Sequence, residues 1–368
     1  MLLFHNMTET LTTPGFAKVL PEKPTRLWMP KRVVFTADSM NDAYAQQILE
    51  RVISLGLKPE ILKNNRLTGL RGADERETYR IAKSTLAIVR APASAFRLTP
   101  IPPSADWQFH LAQGCPAHCQ YCYLAGSLSG PPAIRVYSNL PDILTNNIQY
   151  ERPGLFTTFE ASCYTDPLSL EHLTGGLALS IEHFGQRPDT QLRFVTKFDN
   201  VDPLLSLEHN SRTRCRISLN AEPVSRRLEG GTASLDKRIQ ALRKLALPRK
   251  EGGGGYPIGI VLAPIMPIEN WREHYSSLFD SVSAALNFNC DLTFELISHR
   301  FTPGSKSVLQ EWYPNSSLEM QEETRSQKRN KFGGFKYVYT TTQMKELKSF
   351  FESEISRRFP QARILYWT

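Results

Sequence analysis

The sequence predicts an α/β protein whose main part is an incomplete (β/α)6 barrel, with a small β-α-β region before it and a β-hairpin extension after it. Two observations support this fold class. Apolar, strand-like runs alternate with helical stretches from residue 107 onward, a pattern typical of a parallel sheet with crossover helices. Most of these runs also end in polar or small residues, and in such barrels the carboxyl ends of the strands carry the chemistry.

The predicted barrel occupies residues 107–300. Its strands are predicted at residues 109–113, 157–160, 192–196, 216–219, 258–263 and 292–297. Its helices are predicted at residues 141–149, 170–184, 235–245 and 271–286. A glycine-rich stretch at residues 250–256 has no strand before it and no helix after it, so it is interpreted as a flexible linker and not as a phosphate-binding loop.

Three regions surround the barrel: residues 1–30 as an irregular leader, residues 31–106 as a small α/β region, and residues 301–368 as a C-terminal hairpin and helix. Before the barrel, strands are predicted at residues 31–35 and 58–62, a helix at 41–55, and an arginine-rich surface loop at 66–80. After it, a hairpin is predicted at residues 325–339, a helix at 342–358 and a final strand at 362–367.

Composition narrows the class of protein. The chain has 368 residues and a net charge of +8, which suits a polyanionic partner but does not by itself indicate one. No run of 18 apolar residues occurs, so no membrane span is expected. The first residues lack the features of a secretory signal, so a cytoplasmic location, where thiols stay reduced, is expected.

Three cysteines with the spacing C-x3-C-x2-C form the most informative motif: Cys115, Cys119 and Cys122. Thiolates at this spacing suit a soft metal centre. A [4Fe–4S] cluster takes four such ligands, so three would leave one iron open for a small molecule. A zinc site would need a fourth ligand; His118 lies within the loop, but no second short pair of ligands is visible. The cluster is the favoured interpretation, and zinc is the alternative.

A basic, aromatic stretch at residues 325–339 holds five cationic side chains and no acidic one. Gly333 and Gly334 lie between aromatic residues, which favours a hairpin turn. Cations interleaved with aromatic rings can hold phosphates and stack on bases or wedge between them. The alternative is an ordinary exposed hairpin.

With these residues in view, the chain resembles the spore photoproduct lyase family of the radical SAM superfamily. The resemblance runs from about residue 31 to the C-terminus. It is carried by the stretches at residues 114–124, 134–140, 159–163, 192–197, 294–302 and 364–368. Tyr121 occupies the aromatic position that precedes the last cysteine in the superfamily signature. The cysteine triplet alone would indicate only the superfamily, whereas the other stretches indicate the family.

The resemblance implies a radical SAM barrel that binds a [4Fe–4S] cluster and S-adenosylmethionine (SAM). It implies repair of the spore photoproduct, 5-thyminyl-5,6-dihydrothymine, in DNA. In that chemistry, reductive cleavage of SAM yields a 5′-deoxyadenosyl radical, which takes a hydrogen atom from the lesion. The lesion radical then fragments, and a protein thiol returns a hydrogen atom. The electron donor would be a protein such as a flavodoxin or ferredoxin.

The resemblance also assigns roles to residues. The cluster ligands are Cys115, Cys119 and Cys122, and the hydrogen donor is Cys163, with Tyr121 and Tyr123 as a relay back to SAM. The SAM contacts are Thr165, Lys197, Ser218 and Asn220. The DNA contacts are His299, Arg300, Arg329, Lys331, Phe332, Phe335 and Lys336.

Several features depart from the family pattern. The leader is long, the glycine-rich stretch is additional, Thr165 replaces a serine, and residues 266–269 diverge. These departures suggest a paralogous branch and bear more on the lesion than on the chemistry. The alternatives are therefore a radical SAM enzyme that acts on a different modified nucleotide, and a damage-binding protein without catalysis.

Overall fold

A computed structural model describes residues 27–127, 130–329 and 333–368. The strands are β1 (Arg32–Phe35), β2 (Pro59–Ile61), β3 (Thr85–Val89), β4 (Thr99–Ile101), β5 (Ala105–Phe109), β6 (Ala112–Gln113), β7 (His118–Cys119), β8 (Ile134–Tyr137), β9 (Thr157–Ala161), β10 (Thr190–Thr196), β11 (Thr213–Leu219), β12 (Glu229–Gly230), β13 (Ile258–Ile265), β14 (Leu292–Ser298), β15 (Ser326–Arg329), β16 (Phe335–Val338) and β17 (Arg363–Trp367). The helices are α1 (Ala43–Ser54), α2 (Glu75–Lys83), α3 (Leu140–Asn147), α4 (Glu171–Thr174), α5 (Gly176–Gly185), α6 (Glu222–Leu228), α7 (Leu235–Ala246), α8 (Trp271–Ala285), α9 (Pro303–Trp312) and α10 (Thr341–Arg358). Nearly all of the predicted leader lies outside the described residues.

The main sheet is a curled half-barrel with the strand order β17-β14-β13-β11-β10-β9-β5-β4. From β5 to β17 every neighbouring pair is parallel, and only the edge strand β4 is antiparallel. The predicted α/β class and incomplete barrel are confirmed, and the C-terminal strand β17 adds a seventh parallel strand to the six predicted ones. Because the strands are parallel, their carboxyl ends meet at one rim.

The first barrel strand was predicted too late in the chain. It is β5, which ends at Phe109, and residues 112–113 instead form β6, which pairs with β8 in the other sheet. The chain passes from one sheet to the other between these two strands. The Phe109 carbonyl still accepts a hydrogen bond from the Ser162 amide after β9, whereas the Leu111 carbonyl accepts one from the Tyr137 amide of β8.

A second sheet has the order β2-β1-β3-β8-β6 and packs beside the barrel. The predicted strand, helix and strand are confirmed as β1, α1 and β2. The prediction of a surface loop through residue 80 was wrong, because α2 begins at Glu75. The Asp74 side chain caps this helix by accepting a hydrogen bond from the Glu77 amide at 2.7 Å. The largely charged sequence of α2 hides its buried face, which includes Tyr79 and Lys83.

Local backbone geometry explains two further differences from prediction. The single helix predicted over residues 170–184 is divided into α4 and α5 at Gly175, whose φ is +68°. The glycine-rich stretch is not a loose linker. Amide hydrogen bonds from Gly254 and Gly255 to the last turns of α7 tie it down, and Tyr256 stacks on His209 with ring centroids 3.7 Å apart.

The predicted hairpin and C-terminal helix are confirmed as β15, β16 and α10, whereas helix α9 before them was not predicted. Strands β15 and β16 pair in an antiparallel hairpin, with Ser326 opposite Val338. Helix α10 packs against α8 through Phe351, which contacts Trp271 and Tyr275. In the described part of the chain, no helix combines the length and apolar character needed to cross a membrane.

Candidate active site

The three cysteines lie on a loop that begins directly after β6 and contains β7. Gly114 makes the entry to this loop possible, because its φ is +84° and a Cβ at this position would lie 2.4 Å from the Ala133 carbonyl oxygen. Its amide donates to the Tyr164 carbonyl at 2.9 Å, which joins the loop to the segment after β9. The first cysteine of the loop therefore starts from a defined position at the barrel rim.

Both sheets hold the cysteine loop. From the N-terminal side, Lys83 of α2 donates hydrogen bonds to the carbonyls of Cys115 and Ala117. From the barrel side, β7 pairs with β12, with Cys119 opposite Glu229. The loop's backbone geometry thus depends on the relative position of two layers.

The three cysteines of the loop are thiolate donors of the kind that an iron–sulfur cluster takes. In the described ranges, no three His, Cys, Asp or Glu side chains come close enough together to hold one metal ion. In an iron–sulfur cluster each thiolate binds a separate iron, so the sulfurs do not need to converge on one point. Burial raises the pKa of Cys115 to about 11 and also raises the pKa values of Cys119 and Cys122. Iron would supply the positive charge that such buried thiolates need, so the donor set fits a cluster.

The predicted SAM contacts follow the barrel strands at the rim. Lys197, directly after β10, places its Nζ 2.5 Å from Ser218 Oγ and 3.3 Å from the Ala263 carbonyl oxygen. Asn220 is fully buried; its amide donates to the Pro264 carbonyl at 2.8 Å, and its side-chain oxygen accepts from Tyr275 at 2.7 Å. Asn220 therefore shapes the rim through contacts within the protein.

Thr165 differs from the other predicted SAM contacts. Its hydroxyl is buried and forms no hydrogen bond with another described residue, so it retains free bonding capacity. Thr165 also lines a small internal cavity of about 10 Å³ together with Tyr44, whose hydroxyl is likewise buried and unpaired among the described residues. A ligand or an internal water molecule could satisfy the Thr165 hydroxyl.

Glu229 is a central residue of the site that the sequence reasoning missed. The Tyr121 hydroxyl, on the cysteine loop, donates a hydrogen bond to the Glu229 carboxylate. Arg238 lies 2.6 Å and Lys197 lies 3.3 Å from the same carboxylate. Burial alone would raise the pKa of Glu229, but the two cations lower it to about 2. The residue belongs to no motif and follows the unpredicted helix α6, so no local sequence signal pointed to it.

Cys163 lies at the same rim, two residues beyond the end of β9. The preceding residue, Ser162, has a φ of +57°, which is uncommon for a residue with a side chain and turns the chain sharply after the strand. Its hydroxyl holds this turn by accepting a hydrogen bond from the Leu111 amide at 2.9 Å. Tyr123, next to the third cysteine, donates its hydroxyl to the Cys163 carbonyl. The structure thus brings the cysteine loop and Cys163 together.

The predicted DNA contacts divide into buried and exposed groups. His299 is buried, and burial together with Arg325 lowers its pKa to about 3, so its ring is neutral. Arg300, Arg329 and Phe335 are exposed.

Lys336 is half-buried, and its pKa is lowered by burial and by the positive charges of Arg300 and Lys328, which places these three cations near one another. Lys331 and Phe332 lie outside the described residues. The exposed members of the set therefore form a basic surface on the hairpin side of the rim.

Comparison with known proteins agrees with this arrangement. The family model described as spore photoproduct lyase matches residues 28–368. The chain is 39% identical to the spore photoproduct lyase of Bacillus subtilis (strain 168) over 346 residues, which cover 93% of this chain and 99% of that protein. It is 33% identical to the spore photoproduct lyase of Clostridium acetobutylicum over 340 residues, which cover 92% of this chain and 98% of that protein.

Solved structures give the same result. A doubly substituted spore photoproduct lyase with bound AdoMet and dinucleoside spore photoproduct matches with a TM-score of 0.86 and 37% identity, covering 93% of this chain and all of that one. A spore photoproduct lyase complexed with dinucleoside spore photoproduct matches with the same TM-score and 38% identity. Because the family model spans nearly the whole chain and the identities hold end to end, this chain belongs to the spore photoproduct lyase family.

Proposed function

We propose that this protein is a radical SAM lyase that converts the spore photoproduct in DNA, 5-thyminyl-5,6-dihydrothymine, into two thymines. The observation that carries the proposal is the contact between Tyr123 of the cysteine loop and the Cys163 carbonyl. It joins a three-cysteine loop to a thiol at the barrel rim, in a chain whose relatives are spore photoproduct lyases. A protein that only recognised damage would need neither group.

Each part of the rim has a role in this proposal. Cys115, Cys119 and Cys122 hold a [4Fe–4S] cluster, while Lys197 supplies a cation for the carboxylate of SAM. When bound, the cluster and SAM supply the one-electron chemistry that starts hydrogen abstraction from the lesion. Cys163 donates the hydrogen atom of its weak S–H bond to the thymine radical. Tyr123 donates its hydroxyl to the Cys163 carbonyl, and Tyr121 lies two residues before it on the same loop, so the two tyrosines are the proposed relay for a hydrogen return.

The proposal also covers the DNA partner, the electron donor and the location of the protein. The basic hairpin side of the rim binds the phosphates of damaged DNA, and the lesion leaves the base stack, because chemistry on a stacked base is sterically blocked. The reducing electron comes from a carrier protein such as a flavodoxin or ferredoxin. A cytoplasmic location is part of the same proposal, since thiols and clusters persist where the surroundings are reducing.

The decisive experiment is an anaerobic assay of the reconstituted, reduced protein with SAM and a dinucleotide spore photoproduct. Release of thymine, with little net formation of 5′-deoxyadenosine, is expected. SAM cleavage without thymine would overturn the proposed substrate and indicate a different lesion. DNA binding without any SAM cleavage would indicate a damage-binding protein.

The cluster ligands can be tested with Cys119→Ala. We expect this variant to lose the brown colour of the reconstituted cluster and all SAM cleavage, because one of three thiolate ligands is gone. The matched control is Cys215→Ala, which removes a fully buried thiol from β11 and should keep the colour. A coloured, active Cys119→Ala protein would contradict the ligand assignment.

The donor thiol can be tested with Cys163→Ala. The variant should still cleave SAM and fragment the lesion, but the thymine radical should be quenched by other species and yield trapped adducts. Chromatography with mass spectrometry distinguishes these adducts from thymine. Cys290→Ala, which removes another half-exposed thiol, should release thymine normally. Clean thymine from Cys163→Ala would rule out Cys163 as the donor.

The hairpin can be tested by replacing Arg329, Lys331 and Lys336 with glutamine. If each cation contacts a phosphate, the slope of log Kd against log salt should fall by roughly 2.7 units for duplex DNA, since each of the three contacts contributes about 0.9. Fluorescence anisotropy over a salt series measures this slope.

The matched control replaces three exposed lysines elsewhere on the surface, Lys58, Lys63 and Lys345, with glutamine. This triple variant has the same change in net charge. If both triple variants lower the slope equally, DNA binding depends only on the overall charge of the protein, and the hairpin has no specific role.

A further inference from the structure

Three charged side chains meet at the barrel rim beside the cysteine loop. This charge triad consists of Glu229 of β12, Arg238 of α7 and Lys197, which directly follows β10. Both cations contact the one carboxylate: Arg238 lies 2.6 Å and Lys197 lies 3.3 Å from its oxygens. Two cations and one carboxylate leave the charge triad with one positive charge in excess.

The excess charge can be reached only at Lys197. The side chains of Glu229 and Arg238 are 0% exposed, whereas that of Lys197 is 16% exposed. The Lys197 ammonium also lies 5.7 Å from the centre of the Tyr121 ring, which places it next to the cysteine loop. A ligand at the rim would therefore meet the charge triad through Lys197.

Arg238 is held entirely by groups of the protein. Besides Glu229, its guanidinium donates hydrogen bonds to four neutral groups: the carbonyls of Ala233 at 2.8 Å and Ser218 at 3.0 Å, and the hydroxyls of Ser225 at 3.1 Å and Thr232 at 2.8 Å. A buried charge needs such pairing and hydrogen bonding to be tolerated. The only charged partner of Arg238 in the described part of the chain is the Glu229 carboxylate.

Lys197 is held more loosely. Its ammonium contacts two neutral acceptors, the Ser218 hydroxyl at 2.5 Å and the Ala263 carbonyl at 3.3 Å. Asp166 is a second carboxylate nearby, but it accepts its hydrogen bond from the Lys197 backbone amide, at 2.7 Å. Among the ion pairs of the described residues, Lys197 has Glu229 as its single partner, at a longer distance than Arg238 has.

The two distances indicate how the charges are divided. Without Arg238, the buried carboxylate of Glu229 would have Lys197 as its single counter-ion and would hold it strongly. We propose that Arg238 neutralises Glu229 and thereby keeps the Lys197 ammonium available for an anionic ligand at the rim. The inference rests on the proposed function for the identity of that anion, the carboxylate of SAM. Arg238 is a positioning residue, since it acts through Lys197 and does not touch the ligand.

The test is anaerobic titration calorimetry of the cluster-loaded, unreduced protein, which requires no turnover. The two probes are S-adenosylhomocysteine, which carries an amino-acid carboxylate, and 5′-methylthioadenosine, which lacks it. Arg238→Gln should bind S-adenosylhomocysteine about tenfold more weakly than the wild type, the worth of one charge-assisted contact. Its affinity for 5′-methylthioadenosine should not change, because that ligand has no carboxylate for Lys197 to bind.

A double variant separates this role from simple support of the fold. Arg238→Gln combined with Glu229→Gln removes both charges of the buried pair and leaves Lys197 without a counter-ion, so the wild-type affinity for S-adenosylhomocysteine should return. The new glutamine at 229 can still accept the hydrogen bond from the Tyr121 hydroxyl. If Arg238 only supported the fold, the second buried substitution would add to the damage. Arg238→Lys keeps a cation and should retain most of the affinity.

The matched control is Arg214→Gln. Arg214 is another buried arginine with a carboxylate partner, Asp291 at 2.5 Å, but it lies at the amino end of β11, far along the strand from the rim. This variant should lower the melting temperature and leave both affinities unchanged. Iron content and melting temperature, measured for every variant, show that the cluster and the fold are present.

A folded, cluster-loaded Arg238→Gln protein that binds S-adenosylhomocysteine like the wild type would overturn the proposal. So would a double variant that binds it as weakly as Arg238→Gln does. A third result needs no variant: equal binding of the two probes by the wild type would show that no cation is available for a carboxylate. In the first two cases, tight binding by the wild type leaves the proposed function intact, whereas a wild type that binds neither probe would refute both.

Discussion

Hydrogen bonds from two separate layers to one loop are the interactions on which the site depends. Lys83 of the N-terminal layer holds the backbone of the cysteine loop from one side, and β12 of the barrel pairs with it from the other. A loop that carries three candidate metal ligands needs this support, because ligand geometry is set by groups that hold the ligands in place. The N-terminal sheet therefore has a structural role in the active site, although none of the predicted catalytic residues lies on it.

The barrel rim and the barrel interior contain different kinds of charged contact. At the rim, short polar contacts around Lys197, Glu229 and Tyr121 bring charged groups next to the cysteine loop. In the interior, two arginines and two glutamates form a buried, electrically neutral set of ion pairs: Glu160, Arg193, Arg216 and Glu295. The proposed radical reaction requires water to be excluded, so burial serves the proposed chemistry as well as the fold.

Similarity to known lyases and the geometry of the rim support each other. The identities extend over nearly the whole chain, including both the cysteine loop and the hairpin. The departures from the family pattern are local. The glycine-rich stretch lies at the end of α7 and is tied to that helix by backbone hydrogen bonds. The stretch follows the end of α7, and it contacts that helix and His209.

The sequence by itself determined the fold class, five of the six predicted barrel strands, the hairpin and the cysteine triplet, because period, turn residues and spacing are local signals. It did not reveal α2, whose charged residues hide a buried face, or the division at Gly175. Only the tertiary structure revealed Glu229 as the partner of Tyr121, Lys197 and Arg238, and the buried ion pairs of Arg216 with Glu160 and Glu295. Those contacts join residues far apart in the chain, and a single sequence carries no signal for which distant side chains will meet.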